Sequence, residues 1–182
     1  TIQYVSFMSV SNWGSAGRWS TNYSAIAYST DNGENFTVAP ESVRYNSIFS
    51  GNKNFQQSAF VKGDDGYVYM YGTPNGRQGA AYLARVTPEN ILDADKYEYY
   101  KKASSGWFGS SSARWVKNSP SSASAIIGKS GGACGSTKPG YTVSEMSVQY
   151  NDYLEKYVVM YGDQFNNVVI RTSDTPQGEW SD

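Results

Sequence analysis

The sequence predicts an all-β fold, and within that class a β-propeller, from its internal repeats, its composition and its lack of helical periodicity. Three segments are alignable versions of one apolar strand, each followed by a polar turn and a second apolar run. Repetition of this kind is typical of radially arranged β-sheets, which bury their faces only against neighbouring sheets. The three segments begin at Tyr4, Tyr67 and Tyr157.

Composition favours the same fold class. A length of 182 residues suits one domain, and 15% aromatic residues with 18 glycines favour many short strands joined by tight turns. Only residues 88–95 favour a helical turn, because Thr87 followed by Pro88 suits a helix start.

The repeats divide the chain into about three four-stranded blades. Blade A covers residues 1–40 without its innermost strand, blade B covers 55–101, and blade C covers 143–182, with an interblade loop at 102–142. Propellers typically contain four to eight blades. We therefore expect a longer native protein or another chain to supply the missing blades, because an open ring exposes apolar sheet faces.

Charge and residue absences narrow the chemistry. The formal net charge is −1 with both signs interspersed, and no apolar run approaches the length of a membrane span, so neither nucleic acid nor a membrane span is expected. The chain has no histidine, which excludes a Ser-His-Asp triad and histidine-ligated metal sites within it. Its single cysteine, Cys134, lacks a neighbouring base and is interpreted as an incidental thiol.

Two turns carry a motif that indicates structure rather than catalysis. Residues 29–36 match the Asp-box pattern S-x-D-x-G-x-x-aromatic, and residues 173–180 form a looser version. In such a turn the Ser and Asp oxygens bind backbone amides, so Asp31 and Asp174 are expected to stabilise the fold. Because strands alternate in direction, the turns after the first and third strands of each blade lie on one face of the predicted propeller. The loops after the second and fourth strands lie on the opposite face.

That opposite face collects the candidate substrate-binding residues. Aromatic rings can stack on sugar rings, and amide and guanidinium groups can bind sugar hydroxyls, so a polysaccharide or oligosaccharide substrate is predicted. The alternatives are that the two tryptophans of the first loop only pack that loop and that the arginine pairs with an acid. The candidates are Trp13, Trp19, Asn22, Tyr23, Gln56, Gln57, Arg77, Trp107 and Gln164.

Two carboxylates on the same face are the candidate catalytic groups. Glu145 opens an innermost strand, and Asp163 follows a second strand. Paired carboxylates are the usual catalysts of glycosidic bond hydrolysis, although either group could instead bind rim amides. No cofactor is expected; a structural calcium could use oxygens of Asp163, Gln164 and Asn166, but no EF-hand-like spacing supports it.

Five motifs follow one another along the chain: Phe7-Met8-Ser9-Val10, Trp13-Gly14, Thr21-Asn22-Tyr23-Ser24, Gly72-Thr73-Pro74-Asn75-Gly76-Arg77 and Ser144-Glu145-Met146-Ser147-Val148-Gln149. Together they resemble a domain family of secreted actinobacterial proteins, some of which are endo-D-arabinanases with a five-bladed propeller. The resemblance implies hydrolysis of D-arabinofuranosyl linkages in cell-wall arabinan and a secreted or cell-envelope location. It also implies that part of the acidic catalytic apparatus lies in a blade before residue 1. The alternatives are a non-catalytic glycan-binding propeller and an assembly module completed by another chain.

Overall fold

The computed structural model describes residues 1–129 and 138–182, so Cys134 lies outside the described residues. These residues form fifteen β-strands and five short 3-10 helices, with no α-helix. The strands are β1 (Gln3–Asn12), β2 (Ser20–Ser29), β3 (Thr37–Val38), β4 (Arg44–Tyr45), β5 (Gln57–Lys62), β6 (Val68–Thr73), β7 (Ala81–Val86), β8 (Glu98–Lys101), β9 (Ser104–Gly106), β10 (Gly109–Ser111), β11 (Arg114–Lys117), β12 (Ala125–Ile127), β13 (Met146–Asn151), β14 (Lys156–Gly162) and β15 (Val168–Ser173). The 3-10 helices are Pro40–Ser42, Asn52–Phe55, Pro88–Asn90, Ala94–Lys96 and Pro120–Ser122.

The strands form three antiparallel sheets and one separate hairpin. Sheet I has the order β1-β2-β3, with β4 also paired to β2. Sheet II has the order β11-β8-β7-β6-β5, with β12 paired to β7. Sheet III has the order β13-β14-β15. Strands β9 and β10 pair with each other, and we call residues 104–111 the tip hairpin.

The predicted all-β class is confirmed, and so is the strand repeat. The three aligned segments are β1, β6 and β14, and each pairs with the strand that follows it. Strands β5 and β13 precede two of them, whereas β1 is the edge strand of sheet I. Across residues 1–129 and 138–182 no helix has the length and apolar character needed to cross a bilayer.

Two boundaries differ from the sequence prediction. Residues 102–142, expected to form a loop, contain β9 to β12, because apolar Trp115 and Ile127 pack against sheet II rather than face solvent. Strand β11 extends sheet II with Trp115 opposite Tyr100. Sheet I also continues past residue 40, because the turn at Pro40–Ser42 divides its outer strand into β3 and β4.

Sheet II lies between the other two sheets, and a hydrophobic core covers each of its faces. Successive side chains of a strand point to opposite faces. On β6, Val68 and Met70 therefore pack in one core with Ile26 of sheet I, while the intervening Tyr69 and Tyr71 pack in a second core with sheet III. Every residue of β6 is buried, which identifies it as a central strand of the stack.

The outer faces of sheets I and III remain apolar and exposed. Val5 and Val38 flank Ala27 on the side of sheet I that points away from sheet II, and both valines are exposed. Met160 and Ile170 lie opposite each other on the corresponding side of sheet III and are exposed as well. The stack therefore ends in two apolar sheet surfaces.

The Asp-box turn has the predicted structural role. Asp31 accepts hydrogen bonds from Ser29 Oγ (2.7 Å) and from the backbone and side-chain nitrogens of Asn35 (3.0 and 2.8 Å). These bonds, with that from the Asn35 side chain the largest, lower the pKa of Asp31 to about 2. Gly33 adopts a φ of 87° in the same turn. In the looser version, Trp180 packs edge-on against Tyr71 with ring centroids 6.0 Å apart.

Candidate functional site

A cavity of about 250 Å³ lies where β5 and β13 meet the edge strand β1. Its lining combines hydroxyl, amide, carboxylate and apolar side chains, which suits a small polyhydroxylated ligand. Glu145 is the only carboxylate of its lining within the described parts of the chain. The lining residues are Ser6, Phe7, Met8, Gln56, Gln57, Ser58, Thr73, Glu145 and Met146.

Glu145 forms a two-point ion pair with Arg77 at the mouth of this cavity. Arg77 Nε lies 3.0 Å from Glu145 Oε2, and Arg77 Nη2 lies 3.3 Å from Oε1. The Arg77 guanidinium also lies over the Trp19 ring, 5.4 Å from its centroid. The two contacts hold both oxygens of the Glu145 side chain in one orientation relative to the cavity. The predicted alternative that Arg77 pairs with a nearby acid is thus confirmed.

The loop between β6 and β7 holds Arg77 in place by docking on the loop between β1 and β2. The Arg77 backbone N–H donates to Gly17 O at 3.0 Å, and Asn75 Nδ2 donates to Trp19 O at 2.7 Å. Gly76 has a φ of 78°, and a Cβ there would lie 2.7 Å from Gly17 O. This close approach requires glycine at position 76 and brings the Arg77 backbone against the β1–β2 loop.

Neighbouring glutamines at the start of β5 differ in role. Gln56 is buried: its Oε1 accepts from Thr21 Oγ1 at 2.8 Å, and its Nε2 donates to the carbonyls of Arg44 and Asn52. Its polar groups are therefore occupied by protein. Gln57 Nε2 donates to Thr73 Oγ1 and two loop carbonyls, whereas its buried Oε1 has no partner among the described residues. Because this oxygen is buried, Gln57 presents no accessible acceptor to the cavity, and its role here is to bind the β6–β7 loop through Nε2.

Asp163 and Gln164 are occupied by backbone donors. Asp163 accepts from the N–H groups of Gly140, Phe165 and Asn167 and from Asn167 Nδ2, at 2.9–3.0 Å. Burial alone would raise the pKa of Asp163, but these hydrogen bonds outweigh it and hold the pKa below its ordinary value. Gln164 Oε1 accepts from Thr142, and its Nε2 donates to Lys138 O. The predicted rim-stabilising alternative therefore describes Asp163 better than catalysis.

The same contacts bear on the suggested calcium site. The oxygens of Asp163 and Gln164 already accept hydrogen bonds from N–H and O–H groups. Their lone pairs are therefore poorly available to a cation. In residues 1–129 and 138–182 no group of three or more His, Cys, Asp or Glu side chains is placed to hold a metal ion.

The two tryptophans of the first loop separate into a packed ring and an exposed one. Trp19 is buried, whereas Trp13 is 67% exposed, with its ring centroid 6.2 Å from that of Trp19. Trp19 therefore supports both Trp13 and Arg77. Nearby, Asn22 Nδ2 donates to Ser9 Oγ at 3.1 Å, and the Tyr23 ring packs 6.4 Å from Phe7, which lines the cavity.

Trp107 does not join these residues. It lies at the turn of the tip hairpin, which follows β8, three strands away from β5 in sheet II. At about 4.8 Å per strand spacing this places the base of the hairpin roughly 15 Å from the cavity. The pairing of β11 with β8 places the hairpin near the outer edge of sheet II. This pairing was not evident from the sequence, so the prediction grouped Trp107 with the other rim residues.

The sequence prediction missed the hydroxyl groups of the lining. Ser6, Ser58 and Thr73 belong to strands and not to the loops on which the prediction concentrated. A signal was present at Ser6, because the aligned strands carry Tyr69 and Val159 at that position. A polar residue replacing an apolar one in a repeated strand indicates a side chain that faces a cavity.

The fold and the site together define an all-β domain with an arginine-paired glutamate at a cavity between sheets. The family profile of DUF4185, a domain of unknown function, matches residues 1–182, and the chain belongs to this family. No curated protein matches the chain. A crystal structure of a "putative hydrolase" from Bacteroides ovatus is similar in fold, with a TM-score of 0.51 and 14% identity. The match covers 99% of this chain, which spans 44% of the Bacteroides chain.

Proposed function

We propose that this chain carries one part of a glycoside hydrolase site that cleaves D-arabinofuranosyl linkages of cell-wall arabinan. The observation that carries the proposal is the Glu145–Arg77 pair at a cavity lined by hydroxyl, amide and apolar groups. The motif resemblance to endo-D-arabinanases supplies the choice of substrate. Access to this polymer requires a secreted or cell-envelope location, which we include in the proposal.

Each group at the cavity has a role in this proposal. The Glu145 carboxylate acts as base or nucleophile, and Arg77 orients it. The hydroxyls of Ser6 and Ser58 bind sugar hydroxyls. Two-carboxylate hydrolysis also requires an acid that protonates the leaving oxygen. In this proposal that acid comes from a part of the protein outside residues 1–182.

The test compares two glutamate variants in the full-length protein. Glu145→Gln keeps the size of the side chain and removes its charge, so release of reducing ends from D-arabinan should fall by about 10²–10⁴-fold. Glu34→Gln, at an exposed turn, is the matched control and should retain wild-type turnover. Equal turnover of wild type and Glu145→Gln would remove Glu145 from the mechanism.

A non-catalytic glycan-binding domain is the second candidate. It is favoured by the single carboxylate in the described lining and by the engagement of Asp163 in turn hydrogen bonds. Incubation of the full-length protein with D-arabinan separates the two candidates. Retention of the protein on the polymer without new reducing ends supports binding alone.

We also propose that sheets I, II and III are consecutive blades of an incomplete five-bladed propeller. The stacking of the three sheets and the exposed apolar rows at Val5 and Ile170 support this arrangement. The rest of a longer native protein, or another chain, covers these two faces. Light scattering of residues 1–182 should therefore show self-association, and a monodisperse monomer would contradict the open ring.

A further inference from the structure

The tip hairpin presents two aromatic side chains to solvent. Strands β9 and β10 pair from Ser104–Ser111 to Gly106–Gly109, which leaves Trp107 and Phe108 as a two-residue turn. Their exposed fractions are 97% and 102%. The hairpin strands pair with no other strand of the described chain, so neither ring contributes to the core of a sheet.

The base of the hairpin is basic. Between Glu98 and Glu145 the sequence contains six lysine or arginine residues and no aspartate or glutamate, although the whole chain has a net charge of −1. Lys101 and Arg114 lie directly opposite each other where β8 pairs with β11, and Lys102 follows. Like charges in opposite positions of a ladder are unfavourable. None of these three cations has an ion-pair partner within residues 1–129 and 138–182.

A partner that matches both features carries anionic groups at its surface and an apolar layer beneath them. We propose that the tip hairpin inserts Trp107 and Phe108 into the interface of an anionic lipid surface while the cations at its base contact phosphate headgroups. Tryptophan and phenylalanine partition into this interface, and each basic residue near it adds electrostatic attraction. A neutral glycan would leave the unpaired cations without a partner, which favours lipid over sugar as the occupant.

The reach of the hairpin fits this interface. Three residues per strand at about 3.3 Å each extend the turn about 10 Å beyond its base, comparable with the depth of 5–10 Å at which interfacial segments insert. The strand register also fixes the orientation. Lys101 ends β8 at the same end of sheet II as Gln57 and Thr73, so a surface bound by the hairpin faces the end where the cavity opens.

The experiment measures sedimentation of the protein with vesicles of phosphatidylglycerol and, separately, of phosphatidylcholine. We expect binding to the anionic vesicles, weakened by salt, with a blue shift of tryptophan fluorescence. The double variant W107S/F108S should reduce the partition coefficient at least about tenfold. Phe49→Ser changes an equally exposed aromatic on another loop (91%) and should bind like the wild type. Unchanged melting of W107S/F108S verifies that its fold is intact.

Charge variants test the proposed contact between the cations at the hairpin base and the phosphate headgroups. K101Q/K102Q/R114Q should weaken binding to phosphatidylglycerol by about fivefold per removed charge. Equal binding to both lipids, or wild-type binding by W107S/F108S, would overturn the proposal. Loss of retention on D-arabinan by W107S/F108S, with no vesicle binding by the wild type, would assign the hairpin to a polysaccharide and also overturn it. Neither vesicle binding nor retention on D-arabinan depends on hydrolysis. A negative result here therefore does not affect the test of Glu145, and a negative result for Glu145 does not affect this one.

Discussion

Arg77 and Glu145 lie 68 positions apart in the sequence and meet through two parallel N–H···O contacts. The pair connects the β6–β7 loop with the segment that enters β13, so it links sheets II and III at the mouth of the cavity. Both side chains are about half exposed, at 52% and 49%. Exposed ion pairs contribute little to stability. The geometry of this pair therefore matters for orienting a carboxylate more than for holding the sheets together.

A double-mutant cycle should separate these two contributions. For Arg77→Met, Glu145→Gln and the double variant, we expect a coupling free energy of unfolding of about 0.2–1 kcal/mol, which decreases as salt screens the pair. In the full-length protein, Arg77→Met should nevertheless reduce arabinan cleavage by at least about tenfold, because Glu145 loses its orientation. Urea unfolding and reducing-end release provide the two measurements. A coupling energy above about 3 kcal/mol would instead make the pair a structural element.

Gln56 should be essential for stability. Gln56→Leu keeps the side-chain volume but removes the partners of Thr21 Oγ1 and of the Arg44 and Asn52 carbonyls. Each unsatisfied buried group costs about 1–3 kcal/mol, so the free energy of unfolding should fall by about 3 kcal/mol. Urea unfolding measures this loss. Gln149→Leu, at an exposed position of β13, is the control and should change it by less than about 0.5 kcal/mol.

The repeated strands could be predicted because the physics behind them is local. Alternation of apolar side chains and Gly-containing turns indicated β1, β6 and β14 with their partners, and the Asp-box pattern indicated the hydrogen bonds of Asp31. The strands within 102–142 could not be predicted in the same way. Strand β11 has only four residues, and it forms because it pairs with the edge of β8. Its formation therefore depends on contacts outside the segment 102–142.

The site was harder to predict than the fold because one position along a strand reverses the direction of a side chain. The sequence assigned Gln56 and Gln57 one role, yet Gln56 binds the Arg44 carbonyl, whereas Gln57 binds carbonyls of the β6–β7 loop. Likewise the composition of residues 163–167 does not reveal whether Asp163 faces a ligand or its own turn. Only the positions of the Gly140 and Asn167 donors decide that.

Trp13 and Trp19 should respond differently to truncation. Trp19→Ala removes a buried ring beneath Arg77, so the free energy of unfolding should fall by about 3–5 kcal/mol. Trp13→Ala should change it by less than about 0.5 kcal/mol but weaken retention on D-arabinan, because an exposed ring can stack on sugar. Thermal unfolding and affinity electrophoresis distinguish these effects. Wild-type retention of Trp13→Ala would limit this ring to packing.

Asp163 should make stability depend on pH in the acid range. Its pKa is lowered in the folded state, so the unfolded chain takes up a proton first as the pH falls. The stabilisation by Asp163 is therefore complete above the ordinary carboxyl pKa, near 3.8, and is lost as the pH falls through the lower folded-state pKa. At neutral pH, Asp163→Asn should lower the free energy of unfolding by about 1–3 kcal/mol, because an amide nitrogen cannot accept from the turn N–H groups.

The difference between wild type and Asp163→Asn should accordingly narrow as the pH is lowered from 6 towards 2. Urea unfolding at a series of pH values measures this difference. Asn167→Ala removes the side-chain donor at 3.0 Å from Asp163 Oδ2 but keeps the backbone donors, so its loss should be smaller and have the same pH dependence. A constant difference across this range would show that the Asp163 charge has no part in holding the turn, and the carboxylate would again become a candidate for catalysis.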